Sequence, residues 1–262
     1  MKTNIETKKT CRKIKLLAGL SACAASTLLT AQAQIVSVNL IQNPGNASQQ
    51  IDVGEIYGIP GLGSVVGGWY NLNTGANNLS DSLGNPTTVD FGLTQPNGQA
   101  TFNVGYTNTP LYAGLDDYTT TATPTSVTLS DLTATFGSGY FAIVYVGGFN
   151  ANTGASISDG TTTFFYKVDP APANPYGSFV QTTQTTDLGL GNNPIAQYAV
   201  FGSASSPLTA DSITFTLDTL YGGGSGLGAV QIVGVPEPAS VAVAVLGVGL
   251  LAVVRRKSRK QD

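Results

Sequence analysis

The sequence predicts an all-β protein: a β-sandwich of jelly-roll type, flanked by an N-terminal signal peptide and a single C-terminal transmembrane helix. Three observations carry that reading. Through the middle of the chain, apolar residues come in short β-branched and aromatic runs separated by Gly, Pro, Asn and Asp. No stretch there keeps a helical period for more than about two turns. Turn signals recur roughly every ten to twenty residues, the spacing of short strands that close into sandwiches.

Ten candidate strands follow in order. They are "IVSVNLI" (Ile35–Ile41), "TTVDFGL" (Thr87–Leu93), "QATFNVGY" (Gln99–Tyr106), "TSVTLSDL" (Thr125–Leu132), "YFAIVYVGG" (Tyr140–Gly148), "TTTFFYKV" (Thr161–Val168), "GSFVQTT" (Gly177–Thr183), "AQYAVFG" (Ala196–Gly202), "DSITFTLDTL" (Asp211–Leu220) and "GAVQIVG" (Gly228–Gly234). In "SITFTL", Ile213, Phe215 and Leu217 alternate with Thr214 and Thr216, which marks one face in the core and one in water. The run "YFAIVYV" is apolar on both faces, as a central strand covered on each side would be. Between Asp52 and Pro86 the pattern weakens, and this stretch reads as a long surface excursion. No fixed-period repeat is visible, which disfavours a solenoid or propeller.

The two ends differ from the middle. A basic start ending at Lys15 precedes an apolar run from Leu16 to Thr30 and then "AQAQ", the layout of a secretory signal. Ala31 and Ala33 hold the small-residue positions, so signal peptidase is expected to cut between Ala33 and Gln34. A second reading stays open: "LSAC" resembles the lipobox of bacterial lipoproteins, which would place the cut before Cys23. At the other end, Ala239–Val254 is uncharged with Ser240 its one polar side chain; as a helix it spans about 24 Å, against a hydrocarbon core of ~30 Å. Arg255, Arg256, Lys257, Arg259 and Lys260 follow at once, long cations that reach back to the interface and keep the tail cytoplasmic. Pro236 and Pro238 bar the helix from starting further upstream. The expected organisation is signal peptide 1–33, β-sandwich 34–234 and C-terminal signal 235–262.

Val235, Pro236, Glu237 and Pro238, the apolar helix and the basic end, paired with a signal peptide, resemble the PEP-CTERM sorting signal of exosortase substrates. The resemblance implies transient residence in the inner membrane, recognition of the Pro-Glu-Pro region by exosortase, and transfer to the cell surface or extracellular matrix. "QIVSVNL", "GGWYNLN", "LSDSLGNPTTVDF", "FAIVYVGG" and "GAVQIVGVPEP" also resemble a recurrent passenger domain of such proteins. That second likeness implies a carbohydrate-binding-type jelly roll.

Charge and composition limit the chemistry. Of twelve Lys and Arg, eleven lie before Gln34 or after Gly234, leaving Lys167 alone in the middle with twelve acids, a charge of about −11. Such a domain cannot neutralise a row of phosphates, so nucleic acid is excluded as a partner. Cys11 and Cys23 both fall in the predicted signal and there is no His. The mature domain therefore lacks disulfides, the commonest general base, the commonest zinc ligands and a thiol nucleophile. No catalytic residue and no cofactor are expected.

Four site readings remain to be placed. Trp69 and Tyr70 are candidate sugar contacts, with Asn71, Asn73 and Asn77 nearby to bind hydroxyls; Trp69 as a core anchor is the competing reading. Asp116 with Asp117, and Asp52 with Glu55, are candidate calcium ligands, though no EF-hand spacing is present. Paired carboxylates for glycoside hydrolysis would need two acids about 5–9.5 Å apart. "YGGGSGLG" (Tyr221–Gly228) lacks the Lys-Ser/Thr ending of a phosphate loop and reads as the connection between the last two strands. The expected role is structural or adhesive in an extracellular matrix, with exopolysaccharide recognition as the alternative and glycoside hydrolysis last.

Overall fold

A computed structural model describes residues 33–41, 50–94, 115–117, 124–148, 153–168, 179–189 and 191–236. Within them most of the predicted runs become strands, joined by three short strands that were not expected, and their backbone groups are satisfied by one another. These are β1 (Ile35–Leu40), β2 (Tyr70–Leu72), β3 (Asp90–Thr94), β4 (Leu115–Asp117), β5 (Thr125–Ser130), β6 (Tyr140–Gly148), β7 (Gly154–Ser158), β8 (Thr163–Lys167), β9 (Tyr198–Phe201), β10 (Ile213–Tyr221) and β11 (Ser225–Gly234). One helical turn, α1 (Leu132–Thr135), follows β5. The described fold is all-β.

The strands form two sheets. The first has the order β2-β1-β11-β6-β9, with β4 also paired to β11; the second has the order β3-β5-β10-β7-β8. All pairings are antiparallel except β1 with β2. The sheets face each other across one core. Val36, Val38, Val144, Val230 and Ile232 of the first sheet share it with Val127, Leu129, Ile157, Phe215 and Leu217 of the second. Phe201 bridges the layers, its ring 5.0 Å from Phe215 and 5.1 Å from Phe164. Each fully buried side chain of this size contributes about 1.5–3 kcal/mol. In β10 the alternation is realised: Ile213, Phe215 and Leu217 are buried while Thr214 is exposed.

The first sheet is buried on its other face as well, which explains why β6 is apolar on both sides. Phe141, Ile143 and Tyr145 of β6 join Ile35, Ala229 and Val233 in a second cluster, covered by Ile51, Ile59, Val66 and Trp69. These four belong to the stretch expected to be a surface excursion or to its threshold. That expectation is corrected here: residues 51–69 form a flap laid on the sheet, because Ile51, Ile59, Val66 and Trp69 turn inward. The flap's turn is tight, since a Cβ at Gly58 would lie 2.0 Å from the carbonyl oxygen of Ser64. Val53, Ile56 and Val65 alone remain on its outer side.

Polar groups trapped beneath the flap are paired. Tyr145 donates to Oε1 of Gln231 (2.7 Å), and Nε2 of Gln231 donates to Ser37 Oγ (3.0 Å) and to the Ser64 carbonyl (2.9 Å). Asn71 ties the flap's start to β1: its Oδ1 accepts from Asn39 Nδ2 and from the Ile51 N–H, and its Nδ2 donates to the Ile51 carbonyl. Burial pushes the Tyr145 hydroxyl far above its ordinary value, so it stays a proton donor at any working pH.

The remaining differences from expectation are local. The strand expected over Thr125–Leu132 stops at Ser130 because Asp131 takes a left-handed φ of 57° and α1 begins. The strand expected over Gly177–Thr183 is reduced, among its described residues, to a bridge from Gln181 to Tyr198. β7, "GASIS", has small residues of weak strand propensity and forms because β10 and β8 flank it. The strand expected over Gln99–Tyr106 lies outside the described residues.

Sheet edges are guarded by irregular segments. Ala76 exchanges two backbone hydrogen bonds with Phe91 beside β3. Gln184 and Pro194 accept from Phe165 and Lys167 beside β8, and Val180 accepts from Tyr198 beside β9. Among the described residues no helix is long and apolar enough to cross a membrane, and the span expected over 239–254 lies outside them.

Tyr145→Phe leaves Gln231 Oε1 buried without its phenolic donor and is expected to cost about 1–3 kcal/mol in urea unfolding. A loss below about 0.5 kcal/mol would mean that the hydroxyl does not help to hold the flap.

Candidate functional site

Trp69 does not present a ring to solvent. It is 8 % exposed, its ring stands edge-on to Tyr145 at 6.1 Å, and its Nε1 donates to the Val66 carbonyl at 3.0 Å. The residue anchors the flap, and the open aromatic face that a sugar platform requires is absent there. Tyr70 is half-buried on β2, and its hydroxyl accepts the Ser80 N–H at 2.7 Å.

The two acidic pairs sit in different settings, one in a turn and one on a strand. Glu55 accepts the Asp52 N–H through its carboxylate (2.9 Å), while the Glu55 N–H donates to the Asp52 carbonyl (3.1 Å), so the two close one exposed turn. Asp116 and Asp117 lie on β4, in register with Gly226 and Ser225. Among the described residues no three His, Cys, Asp or Glu converge as metal ligands do. The Gly-rich connection is a short passage, Gly222–Gly224, between β10 in one sheet and β11 in the other. Its Gly223 N–H is donated to Thr153 Oγ1, which in turn donates to the Gly223 carbonyl, so that amide faces no ligand.

Two arrangements that single-residue reasoning missed emerge from the pairing. The first is a row of hydroxyls across the outer face of the second sheet. Thr94, Ser126, Thr216, Ser158 and Thr163 occupy successive strands in direct register, one from each of the five. All five side chains are exposed or half-exposed. At about 4.8 Å between strands, the row is about 19 Å long. Beside it Thr128 and Thr214 share a hydroxyl–hydroxyl hydrogen bond of 2.8 Å. On the other side Asp218, Ser156 and Phe165 form a second row. The signal in the sequence was the Thr and Ser alternation of "TSVTLS" and "ITFTL"; the register that aligns them is a tertiary property.

The second arrangement is the place where the chain leaves the sandwich. β11 ends at Gly234, whose N–H donates to the Gln34 carbonyl at 2.8 Å. The Val235 N–H donates to the Gly139 carbonyl at 2.9 Å, and the Ser138 hydroxyl donates to the Val235 carbonyl. Val235 also packs against the second cluster, whereas Pro236 is exposed. The expected signal-cleavage position at Ala33 and Gln34 therefore adjoins the start of the Pro-Glu-Pro segment, because Ile35 is in register with Val233. Ala31, Glu237, Pro238, Arg255, Arg256, Lys257, Arg259 and Lys260 lie outside the described residues.

Residues 234–260 match the family model of the PEP-CTERM protein-sorting motif. The chain carries a PEP-CTERM sorting signal. The motif indicates an exported, membrane-transiting protein with exosortase as its processing partner. Its first residues are thus the end of β11 and the clamped Val235. No curated protein and no solved structure matches the chain.

Two further carboxylates have structural duties that set a pH dependence. Asp187 accepts from the Tyr221 hydroxyl (2.5 Å), Asn193 Nδ2 (2.9 Å) and the Gly189 N–H (2.9 Å), which hold its carboxyl below the ordinary range. Asp211 caps α1 by accepting from the Thr133 hydroxyl (2.5 Å) and N–H (2.9 Å), with the same direction of shift. Burial pushes Asp218 the other way, upward. A lowered folded pKa gives stability that is present above the unfolded value of about 3.9 and lost as pH falls through the folded one; a raised pKa costs stability at neutral pH. The melting temperature is therefore expected to drop below about pH 4. Asp187→Asn and Asp211→Asn should each flatten that acid limb, and Asp218→Asn should raise the melting temperature at pH 7. An unchanged acid limb in both of the first two variants would refute the assignment.

Proposed function

We propose that the chain is a non-catalytic adhesive passenger, displayed at the cell surface or in the extracellular matrix after exosortase processing, whose second sheet holds hydroxyl-rich polysaccharide. The row of five hydroxyls is the observation that carries this reading. A hydroxyl both donates and accepts, so Thr94, Ser126 and Thr216 complement sugar hydroxyls in either polarity, whereas Thr163 and Ser158 already donate to Ser158 Oγ and the Thr162 carbonyl and serve as acceptors. The acidic, base-poor middle of the chain favours a neutral glycan over an anionic one. Phe165, beside Ser156 at one end, supplies a ring for stacking.

The proposal includes the fold type. The orders β1-β11-β6-β9 and β5-β10-β7-β8, with the chain crossing between the sheets at each step from β5 to β11 except at the β7–β8 hairpin, support a jelly roll with β2, β3 and β4 as additions. It also includes the route. Signal peptidase releases the N-terminus, the apolar span 239–254 holds the chain in the inner membrane, and Arg255 to Lys260 keep its end cytoplasmic.

Co-sedimentation with insoluble neutral polysaccharides tests the face. Each lost hydrogen bond is worth about 1 kcal/mol, so Thr216→Val is expected to weaken retention about fivefold and Thr216→Lys to abolish it. Trp69→Phe should leave retention unchanged. Wild-type retention by Thr216→Lys would remove the face from the reading. Binding to no glycan would remove the polysaccharide, and glycoside turnover lost with a single Asp would overturn the non-catalytic role.

A further inference from the structure

β11 is buried along its whole length and paired on both sides, with nine register partners on β6 and with β1 and β4 opposite. The sorting motif begins on this strand, at residue 234, with no spacer between strand and motif. A protease seats an extended peptide whose backbone groups are free to pair with the enzyme. The backbone up to Val235 is not free. The Gly234 N–H is held by Gln34, and both polar groups of Val235 are held by the turn at Ser138 and Gly139. That turn is itself fixed: Gly139 has φ of 104°, and a Cβ there would meet Pro207 at 2.7 Å. Releasing residues ahead of Val235 means fraying the most enclosed strand of the fold, and regions of that kind open only near the global unfolding free energy. Pro236 is exposed and has no N–H to tie down.

We infer that the folded sandwich sets the upstream limit for cutting its own tail: the Ser138–Gly139 turn clamps Val235, so cleavage falls on the C-terminal side of Val235 and the mature chain keeps that residue. The inference rests on the exosortase reading. The bond broken is a peptide bond beyond Val235; its carbonyl passes to water, or to an acceptor's amine or hydroxyl, and its nitrogen leaves as the amine of the released tail. Ser138 acts as a positioning residue, through the backbone it holds.

The test uses the full-length chain in an exosortase-bearing host, with pulse-labelled processing and the intact mass of surface and released protein. The variants are Ser138→Ala, Ser138→Thr and a four-residue Gly-Ser insertion between Val235 and Pro236. Removing one hydrogen bond from the clamp should make opening about fivefold more frequent. Ser138→Ala is therefore expected to be processed about fivefold faster and to yield some C-termini ahead of Val235, with Ser138→Thr restoring the wild-type pattern. The insertion should speed processing at least as much, with the cut moving along with the Pro-Glu-Pro. A wild-type C-terminus ahead of Val235, or wild-type rates in both Ser138→Ala and the insertion, would overturn the clamp while leaving sorting intact. Retention of Arg255–Asp262 in every molecule of every variant would overturn the sorting reading and the clamp together.

Discussion

The architecture depends on one strand being available to three others. β11 is the centre of the first sheet, pairing with β6 along one side and with β1 and β4 along the other, and it has no exposed residue. It is also the last strand of the sandwich, so Ile35 finds its register partner Val233 almost two hundred residues later. Loop closure over such separations is paid before any contact rewards it, and pairings of this kind make folding slow. Until the final strand has been made, β1 and β6 have no common neighbour. The residue that completes the sheet is followed at once by the sorting signal, so completion of the fold and arrival of the tail are nearly the same event.

A sheet buried on both faces has to solve a polar problem, because its flanking layer is a loop with few apolar residues. Trp69 and Tyr145 meet edge to face, and Gln231 spends both ends of its amide on Tyr145, Ser37 and the Ser64 carbonyl. Those bonds fix the flap's position as side-chain packing alone would not, since a buried amide left unpaired costs more than a displaced methyl group. The second sheet takes the opposite solution and leaves its outer face to water and hydroxyls. The difference between the two faces is what separates structure from candidate function in this domain.

The strands with strong β-branched or aromatic character were legible in the sequence, and β6 matches its expected bounds residue for residue, because an apolar run bounded by Gly and a turn signal has few other ways to be buried. β2 and β7 were not legible: three residues of mixed polarity and "GASIS" carry no pattern of their own and exist through their partners. The flap misled for a physical reason. Its inward apolar residues, Ile51, Ile59, Val66 and Trp69, are spaced irregularly among exposed ones, and irregular spacing has no period to detect. The candidate sites divide along the same line. The Pro-Glu-Pro tail is contiguous and readable by eye, whereas the hydroxyl row draws one residue from each of five strands and the Val235 clamp joins residues about a hundred positions apart.

The guarded edges have a consequence wherever copies of this domain crowd together. Where Ala76 lies along β3, Gln184 and Pro194 along β8, and Val180 along β9, the backbone groups that would recruit another chain's strand are already engaged. Neighbouring copies at those edges cannot lengthen each other's sheets, so crowding does not by itself lead to fibres. Cohesion at those three edges must come from side chains meeting a partner, which leaves the bond reversible and its strength adjustable one substitution at a time.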